Sequence, residues 1–180
     1  MSIICFKELD NKIQVAADGR CISDGGGGLI NDENLIKIHK ISDKLIIGVT
    51  GIVDIIGVFK KFVIANKYVF ETLDNVTDAL PLFKRFNDYT SEYFGYDGDA
   101  INEFGGFLVA NNVFHGVFYY GDYGQPYCVN DSFKTFAFGS TGIYTTALLD
   151  YGVDVEEAIK ITAKKYTTIN DNVTLLEIDK

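Results

Sequence analysis

The chain has 180 residues, 47% of them hydrophobic and 14% aromatic, which is enough apolar surface for one packed domain spanning residues 1–180. Lys and Arg number 16 against 25 Asp and Glu, and the resulting net charge of −9 opposes docking on nucleic acid or on an anionic membrane. Cys5, Cys21 and Cys128 lack CxxC spacing and the start lacks a basic leader, so a cytoplasmic protein without disulfides, metal or membrane span is expected.

The first half reads as strands. Residues 3–6 and 13–17 are β-branched or apolar runs separated by "KELDNK", a hairpin loop by its Asp-Asn chemistry. A hairpin centred on Asp10 sets Ser2 opposite Asp18, with directly opposed Cα atoms about 4.5–5.5 Å apart. The glycine run at 25–28 reads as a mobile loop; no GK[ST] follows it, so a phosphate loop is not expected. A second strand pair, "NLIKIHKI" and "KLIIGVT", turns at "SDK".

Apolar spacing then shifts to the helical period over 53–73 and 75–94, with Pro81 inside the second helix. Strands "GGFLVAN" and "VFHGVFYY" join at Asn111-Asn112, and "KTFAFG" follows. A helix capped by Ser140 or Thr141 ends at Gly152. The next opens with an Asp154/Glu157 capping box and buries Val155, Ala158, Ile159 and Thr162, before a last strand, "NVTLLEI".

The chemistry concentrates at the start. An N-terminal Ser has its own α-amine within reach of its hydroxyl, and an amine of pKa about 7.7–8.0 needs little depression to act as a base. Ser2 qualifies once Met1 is removed. Lys37, flanked by Ile36 and Ile38, would hold an ammonium among apolar side chains, where a carboxylate must pair with it. Asp18 is the candidate. The bland readings are an edge-strand Lys, a turn Asp and a helix-capping Ser140. His39 and His115 lack metal-ligand spacing, and Cys5 sits inside a strand.

"SIICFKELDNKIQVAADGR", "ENLIKIHKI", "DKLIIGVTG", "FAFGSTGIY" and "EEAIKITAKKY" resemble, in order and spacing, proteasome β-subunits and HslV-type peptidases. The resemblance spans nearly the whole chain. It implies an α+β fold, the four-layer αββα sandwich of two antiparallel sheets flanked by helix pairs that N-terminal nucleophile hydrolases share. It also implies Ser2 as nucleophile, Asp18 and Lys37 as its charged partners, Ser140 bonding the terminal amine, and Gly48 supplying an oxyanion-hole N–H. Cys21 and Val49 would border the substrate.

By the same resemblance the substrate is a peptide or unfolded protein, the assembly a homo-oligomeric ring, and an ATP-dependent unfoldase a possible feeder; no cofactor is implied. The sequence departs from the family at Ser2, where the family has Thr, and before the last strand. There Lys165 or Tyr166 stands where proteasomes carry an Asp. The missing Asp, the glycine insertion at 25–28 and retention of Met1 would suit a catalytically silent assembly subunit, and a non-peptidase amidohydrolase of the same superfamily is the other alternative.

Overall fold

The computed structural model describes residues 2–25, 28–51, 53–74, 76–94, 105–111, 113–120, 126–129 and 133–180. The chain forms two compact units, one built from residues 1–38 and 133–180 and the other from 39–132. His115 and Cys128 lie outside the residues whose side chains are described.

The first unit holds a four-stranded antiparallel sheet of β1 (Ile3–Glu8), β2 (Lys12–Asp18), β10 (Thr135–Gly139) and β11 (Val173–Asp179). Their order across the sheet is β10-β1-β2-β11. Ile3 to Phe6 and Ile13 to Ala17 are buried, so both faces of β1 and β2 are covered, as their unbroken apolar runs require. On one face Ile3, Cys5 and Ala16 pack with Leu149, Val155, Ala158 and Ile159. The last four belong to two helices, α4 (Gly142–Asp150) and α5 (Val155–Lys165).

Both helices have identifiable ends. Gly152, at φ +92°, takes the left-handed conformation that stops α4, and its N–H donates to Leu149 O at 2.9 Å. The Asp154 carboxylate caps α5 by accepting from Glu156 N at 3.0 Å, one residue before the Glu157 of the expected box. Glu156 and Glu157 in the first turn and Lys164 and Lys165 in the last complement the helix dipole.

The hairpin register differs from expectation by one residue. Ile4 pairs with Ala17 and Cys5 with Ala16, so the strands turn on a two-residue loop, Asp10-Asn11, closed by Leu9 N donating to Lys12 O at 2.8 Å. Continued to the chain start, this register sets Ile3 rather than Ser2 against Asp18, and Ile3 N donates to Asp18 Oδ1 at 2.9 Å. Of the glycine run expected to be a loop, Gly26 and Gly27 lie outside the described residues, and its two ends are strand residues. Gly25 and Gly28 are paired at the tip of a hairpin made by β3 (Cys21–Gly25) and β4 (Gly28–Asp32), two strands without an apolar signature.

The second unit carries the sheet of β5 (Ile38–Ser42), β6 (Leu45–Thr50), β7 (Gly105–Ala110), β8 (Val113–Tyr120) and β9 (Pro126–Val129), ordered as in sequence. The last strand was unforeseen because a Pro opens it. Asn111, at φ +56°, makes the expected turn between β7 and β8.

The helical stretch 53–73 is two helices, α1 (Val53–Ala65) and α2 (Lys67–Glu71). Asn66 divides them, its side-chain amide donating to Phe62 O at 2.8 Å in competition with the backbone. Pro81 falls in the first turn of α3 (Leu80–Phe94), where it removes no helical bond, after a 3₁₀ turn over Val76–Ala79. Phe59, Phe62, Phe70, Phe83 and Phe86 form the aromatic core between these helices, Phe59 and Phe86 edge-to-face at 4.9 Å.

Glycine in β6 and β7 lets the backbones meet. A Cβ on Gly106 would lie 1.8 Å from Gly48 O, whereas one on Gly57, within α1, would meet nothing inside 4 Å. Gly106→Ala should therefore lose about 3 kcal/mol in urea denaturation, while Gly57→Ala should gain about 0.5–1 kcal/mol from helix propensity. Equal effects would contradict the close approach.

Candidate active site

Lys37 stands directly before β5 rather than within a strand, where its side chain is not committed to either face of a sheet. It is fully buried, and so is the carboxylate beside it: Lys37 Nζ lies 2.6 Å from Asp18 Oδ1. The ammonium also donates to the carbonyl of Arg20 at 2.6 Å. Asp18 is the last residue of β2, and both of its carboxylate oxygens are engaged. Oδ1 accepts from Lys37 and from Ile3 N, and Oδ2 accepts from Arg20 N at 3.1 Å.

Burial lowers the Lys37 pKa from the ordinary lysine value of 10.5, and the Asp18 charge, its hydrogen bond and Cys21 oppose that shift. Cys21, half-buried at the start of β3, thus belongs to the electrostatic surroundings of Lys37.

Ser2 immediately precedes β1. Its carbonyl accepts from Ser140 N at 3.2 Å, and a Cβ on Gly139 would stand 1.9 Å from that same oxygen. Gly139 adopts φ +127°, so glycine is required there by conformation as well as by space. The structure therefore gathers Ser2, Asp18, Lys37, Cys21 and Ser140 within the first unit. Ser140 contributes its backbone N–H to this arrangement. Met1 lies outside the described residues. Gly48 and Val49 are buried positions of β6, in the other unit, where Gly48 pairs with Phe107 and Val49 with Gly106.

Of Lys165 and Tyr166, the two candidates for the place where the resemblance puts an Asp, Lys165 lies over the Tyr144 ring at 4.3 Å and the Tyr166 ring at 5.5 Å. Three residues missed in sequence reasoning border the ion pair. Asn170 Oδ1 accepts from Gly19 N at 2.9 Å, its amide donates to Glu33 Oε2 at 2.6 Å, and Arg20 pairs with Glu33 at 2.8 Å. Only Arg20, two residues after Asp18, was near enough in sequence to be noticed. Cys5 is fully buried, its thiol pKa pushed up by desolvation, and His39 is half-buried with its pKa lowered to about 4 by burial and by Lys60.

No protein-family model matches the sequence, and no curated protein matches it. The fold, by contrast, a mixed α+β chain with two larger antiparallel sheets and helices, is shared with solved structures of HslV and of a bacterial protein, BPH. The crystal structure of eukaryotic HslV from Trypanosoma brucei aligns with a TM-score of 0.72 at 14% identity, covering 99% of each chain. Thiobacillus denitrificans BPH aligns at 0.66 with 15% identity over 98% of this chain and 97% of its own. The same protein in complex with epoxomicin gives 0.65, 16% identity and 98% coverage of both chains.

Removing one partner of a fully buried pair strands the other charge. Asp18→Asn should destabilise the protein by about 3–5 kcal/mol in chemical denaturation. A loss below about 1 kcal/mol, the range of exposed pairs, would show that the pair is solvated. The pH dependence has a definite sign. Because the Lys37 pKa is lower folded than unfolded, the unfolded chain binds a proton that the folded chain has released between the two values, and stability rises with pH across that window up to 10.5. Wild type should thus gain on the double variant Asp18→Asn/Lys37→Met as pH climbs toward 10.5, measured as the difference between their unfolding free energies; a flat difference would contradict the burial cost.

Proposed function

We propose that the whole chain works as one N-terminal nucleophile peptidase domain, with Ser2 as nucleophile after Met1 is removed. The observation that carries this reading is the buried Lys37–Asp18 pair, whose carboxylate also holds the N–H of Ile3, the residue following Ser2. A structural lysine has no need of a desolvated site at the chain start, whereas a nucleophilic hydroxyl there gains from an adjacent fixed cation.

In this mechanism the Ser2 α-amine takes the hydroxyl proton as Oγ bonds to the scissile carbonyl carbon. Lys37, held by Asp18, favours the ionised hydroxyl and the neutral amine. Collapse breaks the C–N bond, the proton passes to the leaving nitrogen, and water hydrolyses the ester on Ser2. Ser140 steadies the terminal residue. Cys21 borders the peptide. By resemblance to HslV-type peptidases the subunits form a homo-oligomeric ring, with peptides or unfolded protein as substrates and an ATP-dependent unfoldase as feeder.

A second reading has an observation in its favour. Lys165, held over Tyr144 and Tyr166, occupies the region where the family carries an Asp, which suits a silent assembly subunit. Intact mass, native mass and a fluorogenic substrate panel separate the readings. The peptidase should lack Met1, assemble, and lose turnover by a factor of about 10³ or more in Ser2→Ala with its fold unchanged. Retained Met1 without turnover would establish the silent subunit, and turnover of small amides alone would establish an amidohydrolase.

A further inference from the structure

The second acceptor of the Lys37 ammonium is a backbone carbonyl, that of Arg20, and a carbonyl is only as fixed as its peptide. The Gly19-Arg20 stretch is held from several directions. Gly19 N is shared between Asn170 Oδ1 at 2.9 Å and Asn172 O at 2.8 Å, and Gly19 O accepts from Leu35 N at 2.8 Å. The Arg20 guanidinium grips Glu33 at 2.8 Å through Nη2 and donates through Nη1 to Thr167 O. A Cβ on Gly19 would be 2.5 Å from Glu33 O, so these backbones are in direct contact.

Asn170 joins the two sides. It is 8% exposed, and each end of its amide has a partner that fixes its orientation. Oδ1 faces a donor, Gly19 N, while Nδ2 faces two acceptors, Glu33 O at 2.9 Å and Glu33 Oε2 at 2.6 Å. An aspartate here would keep the first bond and lose the others, setting two carboxylates against each other. Glu33 therefore demands an amide at position 170.

We infer that Asn170 and Glu33 are positioning residues for Lys37, fixing through Gly19 and Arg20 the carbonyl that orients its ammonium. This rests on the reading of Lys37 as part of a hydrolase site. Among the described residues, the titratable groups set against Lys37 are Asp18 and Cys21, and Arg20 is paired with Glu33.

The test compares Asn170→Asp, Glu33→Gln and the double variant Glu33→Gln/Asn170→Asp with wild type, following the Lys37 ¹³Cε signal in lysine-labelled protein through a pH titration, alongside kcat/KM against pH. Asn170→Asp should move the Lys37 midpoint by about half a pH unit or more and lower kcat/KM about tenfold at neutral pH. The double variant lifts the repulsion between the two carboxylates but leaves Arg20 without its ion pair, so its Lys37 midpoint and kcat/KM should fall between those of Asn170→Asp and wild type. Should Asn170→Asp fail to fold, Glu33→Gln, which keeps the shape and an acceptor oxygen but releases the guanidinium, carries the test through the same signal. An unmoved Lys37 titration in the folded single variants would overturn the inference. A Lys37 response as expected, in a wild type that hydrolyses nothing, would instead remove the peptidase reading and leave the positioning intact.

Discussion

The structure is organised around an ammonium that has no water. Isolated, a buried lysine would shed its proton, and what holds the charged form is a short bond to Asp18 and a second to a backbone carbonyl. Asp18 meets that demand while also tying β2 to the first residue of β1. The ion pair is thus a joint as well as a charge: it couples the end of one strand, the approach to β5 and the beginning of the chain. Such a pair is weak evidence for stability, since an apolar replacement of similar volume often serves a fold as well or better.

Much of this was legible in the sequence, for reasons that differ by residue. The unbroken apolar runs of β1, β2 and β6 mark strands buried on both faces, and the stripe through Val155, Ala158, Ile159 and Thr162 marks the inner face of α5. Register was less legible. The letters around Asp10 allow a turn centred on a residue or between two, and the hydrogen bond that decides for Asp10-Asn11 is a backbone property. The error of one residue exchanges Ser2 for Ile3 opposite Asp18. Polar and glycine-rich strands such as β3 and β4 carry no hydrophobic period at all, and the division at Asn66 depends on a side-chain bond that spacing cannot register.

The candidate site divides along similar lines. Asp18 and Lys37 could be joined because an ammonium between two isoleucines asks for a carboxylate, and Asp18, at the end of the second apolar run, can supply one. Glu33 and Asn170 could not, because their link spans 137 residues and an asparagine in "TINDN" reads as an ordinary turn. At 14–16% identity the aligned chains share the fold with this one while few residues coincide, so the polar links within each chain must be read from its own coordinates.

The grip on the first described residue has a temporal side. Ser2 is located by Gly139 and Ser140, and its neighbour Ile3 by Asp18 and by pairing with β10. During translation β1 and β2 emerge long before β10 does, so the hold of Gly139 and Ser140 on Ser2 is absent until most of the polypeptide has been made.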